Sequence, residues 1–190
     1  MLKFKYINLI LLACFKIIFI FIFIFGIKNF LGVLIMTSYI EKISAVNTTG
    51  ENYDIALIIR ADFHEKGIHF FTPSDLSQQV AYMSHPAKKI IEPHVHNPVP
   101  RQVHYTQEVL IIRKGVLRCD FYDKNKNYIG SKNLYAGDVI LLISGGHGFQ
   151  VIEDIEMIEI KQGPYAGEQD KTRFTGITPD EIIYLNGDEN

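Results

Sequence analysis

The chain has 190 residues, 47% hydrophobic and 21% charged, with a formal net charge of -2. That length suits one domain rather than two, and that composition argues against wholesale disorder. The first 35 residues hold four lysines and no acid, so the rest carries about -6, which argues against a general attraction for nucleic-acid phosphates.

The N-terminal segment 1–35 stands apart. From Tyr6 to Ile27 it is nearly all Ile, Phe and Leu, long enough to cross a bilayer. One reading makes it a membrane anchor through residues 6–27. The other begins the natural protein at Met36, where an ordinary polar sequence starts, and makes the chain cytoplasmic. The second is favoured because Lys16 falls near the middle of the span, at a cost of about 2.5–3.5 kcal/mol. The two cysteines, Cys14 and Cys119, build neither a disulfide framework nor a CxxC site. Cys119 reads as a small buried hydrophobe within a strand.

Beyond Met36 one domain is expected over 36–185, with a loose tail over 186–190. Short runs rich in Val, Ile, Phe and Tyr predict strands over 55–60, 67–71, 79–83, 89–94, 106–113, 116–122, 128–134, 139–143, 149–152 and 156–161. Thr72-Pro-Ser-Asp75, Arg113-Lys-Gly115, Asp123–Asn127 and Ala136-Gly-Asp138 supply turns between them. Short helices are expected only near Pro73–Gln79 and Pro179–Tyr184. Strands at this spacing give an all-β sandwich or barrel.

Three signals carry chemistry. His94-Val95-His96 places two imidazoles on one face if the segment is a strand; an exposed pair at a strand end is the plainer alternative. Glu108 shares a strand face with Leu110 and Ile112, and a carboxylate on an apolar inward face needs a compensating partner. The alternative turns Glu108 to solvent, with Val109 and Ile111 inward. His147 lies in Ser144-Gly-Gly-His-Gly148, where glycines suit a sharp turn that brings an imidazole into a cavity. A histidine in a surface loop is the alternative there.

In this order, the HxH pair, a Glu followed by Gly115 and a Gly-flanked His resemble the two-motif layout of the cupin superfamily. The string from Pro93 through Glu108–Gly115 and Asp120–Asp123 to Glu159–Tyr165 and Asp170-Lys171 is similar, more closely, to the WbuC family of cupin-fold metalloproteins. That resemblance implies a double-stranded β-helix (jelly-roll) barrel. It implies one divalent ion, Fe, Mn, Ni or Zn, on His94, His96, Glu108 and His147. Eleven residues separate His96 from Glu108, more than the family pattern has, so a second register with Gln102 and His104 in the HxH slots stays open. The second motif lacks its usual Pro, and Val151 stands where an Asn is usual.

The resemblance implies a small polar ligand, such as a sugar derivative of surface-polysaccharide metabolism. The chemistry stays open between a metal-dependent isomerase or epimerase, a dioxygenase, and a non-catalytic binding or sensing module. His104, Tyr105, Arg60, Arg113 and Tyr82 are polar candidates for the ligand mouth. No nucleic-acid partner is expected; a homodimer stays open.

Overall fold

β-Branched and aromatic residues dominate the runs that form strands, and glycines and Asp/Asn turns punctuate them. The computed structural model describes residues 39–164 and 166–185. The segment 1–35 with its two readings, the start at Met36 and the tail 186–190 lie outside the described residues.

Ten strands follow in chain order: β1 (Ile40–Val46), β2 (Asn52–Ile59), β3 (Gly67–Phe70), β4 (Ala81–Ser84), β5 (Glu108–Lys114), β6 (Val116–Tyr122), β7 (Tyr128–Tyr135), β8 (Val139–Leu142), β9 (Gly146–Val151) and β10 (Glu156–Lys161). The described chain is therefore all-β. Every ladder between these strands is antiparallel. One sheet has the order β1-β2-β8-β5-β10, a second β7-β6-β9, and β3 pairs with β4 alone.

The five-stranded sheet is covered on both faces, which is why β2, β5 and β8 read as continuous apolar runs rather than alternating ones. Ile58, Leu110, Ile112, Ile140 and Leu142 point to one side, where Leu117, Cys119, Phe121 and Leu134 of the other sheet complete a core. Leu57, Val109 and Leu141 point to the opposite side and pack with Phe71, Leu76 and Val80. A register shift between Ile43 and Ser44 of β1 leaves Ile55 as the extra residue in β2, so Ile55 and Ala56 both reach the first core. Cys119 lies within that core, and burial pushes its thiol well above the ordinary range.

Three expectations need correction. The run 89–94 is irregular, as is the whole stretch between β4 and β5. Pro86, Pro93, Pro98 and Pro100 withhold four ladder donors there. Pro73–Gln79 makes turns rather than a helix, and the stretch near Pro179 is a single 3-10 turn, Pro179–Glu181, closed by a Thr178–Glu181 capping box. β1 was not among the strands read from the sequence.

Candidate functional site

β5 and β9 belong to different sheets, yet both turn a polar side chain into the space between them. Glu108 lies on the face of Leu110 and Ile112, directly across from Leu142 in the ladder. His147 lies across from Phe121, on the same inward side. The inward reading of Glu108 holds, since its face is that of the core residues Leu110 and Ile112, while Val109 and Ile111 pack into a second cluster on the other face. The two side chains meet, His147 Nε2 standing 3.2 Å from Glu108 Oε2. His147 holds the Glu108 carboxyl below its usual range; burial opposes this, and Lys161 and Lys171 add to it. Lys161 is the ladder partner of Glu108 on β10, with its ammonium 3.8 Å from Oε1.

Gly145 makes this approach feasible. Its φ is +74°, and a Cβ there would come 2.4 Å from the Tyr122 carbonyl oxygen and 2.8 Å from Ile55 Cδ1. The chain therefore turns hard at Gly145 and enters β9, so His147 rides on a strand just after the turn rather than within it.

Glu108 and His147 line a cleft of about 1090 Å³. The cleft also reaches the outer face of β6, where Arg118 and Asp120 form a buried bidentate pair at 2.8 and 3.1 Å. Sequence reading missed this pair. The signal was available: opposite charges at i and i+2 of an otherwise apolar strand share one face. Ser131 Oγ donates to Asp120 at 2.5 Å. The segment after β10 forms a strap over this side. Ile177 N–H donates to Tyr122 Oη at 3.1 Å, Ser131 N–H to the Ile183 carbonyl at 2.8 Å, and Leu185 N–H to the Ser131 carbonyl at 3.0 Å. The Phe174 ring stands edge-on to Tyr122 at 5.0 Å.

The remaining sequence candidates scatter. His94 and His96 are exposed in the irregular stretch, their rings 5.2 Å apart and outside the cleft lining. His94 Nδ1 is 3.0 Å from the Glu92 carbonyl oxygen. His104 is exposed on the same stretch, while Tyr105 lines the cleft. Tyr82 packs edge-on against Phe63 at 5.0 Å, and Arg113 is exposed near the end of β5. Neither lines the cleft. Arg60 serves a structural network, donating to Glu41 at 2.6 Å and to Asp138 at 2.9 Å. Tyr165 lies outside the described residues.

A divalent ion accepts imidazole and carboxylate donors, and Glu108 with His147 offers one of each. They are paired with each other, however, and His94 and His96 do not join them. Among the described residues no three His, Cys, Asp or Glu side chains converge on a point that could hold a metal. The four-donor set therefore does not fit an ion in the arrangement described. Comparison with family models, curated proteins and solved structures gave no match to the chain.

Proposed function

We propose that this chain is a cupin-type jelly-roll barrel that takes a small polar metabolite into the cleft around Glu108 and His147. The observation that carries the reading is the 3.2 Å contact between these two side chains, delivered from two sheets into one polar cleft. A carboxylate beside Nε2 favours a proton on that nitrogen and leaves Nδ1 basic, the arrangement a general base needs. This suits proton-transfer chemistry of the isomerase or epimerase kind. The sugar-derivative class and a place in surface-polysaccharide metabolism rest on the resemblance to the WbuC family. Among the described residues no helix is long and apolar enough to cross a membrane.

The divalent ion belongs to this proposal on one condition: the stretch between β4 and β5 must carry His94 and His96 to the pair. What supports this is that β9 is the edge of its sheet. Phe149 and Val151 on that strand are exposed, and so are Ile90, Ile91 and Val95 on the irregular stretch. Adding that stretch to the free edge would bury both sets. A non-catalytic binding or sensing role is the second reading, favoured by the unassembled donor set.

Thermal shift against a panel of sugar derivatives, with and without Fe(II), Mn(II), Ni(II) or Zn(II), tests the proposal. Ligands or ions that raise the Tm of the parent chain should fail to do so in Glu108→Gln and His147→Ala. A Tm indifferent to every compound and ion would overturn it. Turnover of a ligand that binds separates enzyme from sensor.

A further inference from the structure

β10 ends the five-stranded sheet, and among the described residues its only ladder partner is β5. The edge is not blunted. It contains no proline, and its one register shift falls at its first residue, so 157–161 runs regularly. Ile158 and Ile160 share the face of Ile111 and Val109. They are 44% and 49% exposed, whereas Ile111 and Val109 pack into a cluster. A regular edge strand with exposed apolar side chains is a template for another strand.

The sequence of β10 selects the occupant. Two antiparallel copies of one edge strand are related by a twofold axis perpendicular to the sheet, and residues that oppose each other share a face. The axis therefore passes through a residue. At Glu156, Glu159 or Lys161, like charges would meet on the axis. At Met157 or Ile158, a glutamate would oppose an apolar side chain. At Ile160 the charges match: Glu159 opposes the second copy's Lys161, and Lys161 its Glu159, one ion pair on each side of an Ile160–Ile160 contact. Ile158 lies diagonal to that contact. Within the chain Glu159 and Lys161 are already 3.5 Å apart, and Lys161 also reaches Glu108, so the second copy extends an existing row of alternating charges. The chain's own stretch between β4 and β5 is a poor occupant, because four prolines interrupt it.

We infer that β10 is a dimerisation edge: two copies of this chain pair their β10 strands antiparallel about Ile160 and join their five-stranded sheets into one. The inference is independent of what the cleft binds, but it reaches the cleft. Glu159 is part of the cleft wall, so the second copy's Lys161 comes to that wall. A ladder this short buries less than the roughly 800 Å² per partner of a standard interface, and dissociation in the range of about 1–100 µM is expected.

Sedimentation velocity of the full chain across that range tests the inference. A monomer–dimer equilibrium is expected. Glu159→Lys and Lys161→Glu should each raise its dissociation constant about tenfold, by setting like charges opposite one another twice. An equimolar mixture of the two variants should recover dimerisation, since a mixed dimer restores both ion pairs; a misfolded variant could not do this. In a Cys14→Ser background, Ile160→Cys should form a disulfide between copies under mild oxidation, because opposed residues of an antiparallel pair lie about 4.5–5.5 Å apart at Cα. Ile158→Cys should not. A chain that stays monomeric throughout, a dimer indifferent to both charge variants, or a mixture no tighter than either variant alone would overturn the inference. Crosslinking through position 158 rather than 160 would do the same.

Discussion

Glu41 shows how one side chain can hold two sheets together without chemistry. Its oxygens meet Arg60 at 2.6 Å and Lys132 of β7 at 2.8 Å. Burial opposes its charge, but Arg60 and Lys132 outweigh burial and hold the carboxyl below its usual range. A carboxyl depressed in the folded state contributes stability that is complete above the unfolded value, about 4.3, and is lost as pH falls through the folded value. Glu41→Gln is therefore expected to cost about 2 kcal/mol at neutral pH, with the deficit shrinking in acid below about pH 4. Denaturant midpoints of both proteins at neutral pH and near pH 3 check this; a deficit that persists in acid counts against it. Gly115 tests geometry instead of charge. Its φ is +81°, and a Cβ would come 2.1 Å from the Asp154 carbonyl oxygen. Backbone cannot yield as a side-chain tip can, so Gly115→Ala should cost about 3 kcal/mol or more, read as a fall in Tm.

At the scale of elements, the sequence was most legible where burial and turn chemistry agreed. β6 and β10 have the bounds that the apolar runs and their flanking turns imply. β1 escaped because IEKISAV carries charges between its apolar positions, and only Ile43 among them is fully buried. Run 89–94 misled for the opposite reason: its Ile90 and Ile91 suggest a strand, but the prolines around it deny a regular ladder. The inward face of Glu108 was legible for the same cause, because it lies on a regular strand where period-two reasoning holds. His147 was read within a glycine turn and lies on β9 just after it; His94 and His96 depend on a segment whose path local sequence does not set. The strap gives the element-scale prediction. Tyr128 Oη accepts the Ile183 N–H at 3.1 Å and lies 2.6 Å from Ser131 Oγ. Tyr128→Phe removes both contacts and should loosen the strap by about 1 kcal/mol. Faster amide exchange at Ile183 and Leu185, with β6 amides unchanged, is the expected signature.

Over the described residues, the core between the two sheets closes from residues of β1, β2 and β5 to β8, whereas His94 and His96 remain apart from the Glu108–His147 pair. Assembling them therefore tests a rearrangement rather than a preformed centre. An ion that binds only the assembled form must supply the free energy of ordering the stretch between β4 and β5, which lowers its apparent affinity by the fraction of chains already closed. If His94 and His96 close onto Glu108 and His147, purified full chain loaded with Mn(II), Ni(II) or Zn(II) should show new amide protection around Val95 and raised Tm. Alanine at position 94, 96, 108 or 147 should abolish both effects. Alanine at His104 should leave metal content nearly intact, because in this register His104 lies in the stretch between His96 and Glu108 and supplies no donor. Loss of metal in the His104 variant with the His94 variant still loaded would transfer the ligand role to the register of Gln102 and His104. Metal bound with no change in protection around Val95 would show that the ion sits elsewhere, leaving Glu108 and His147 as an acid–base pair in their own right.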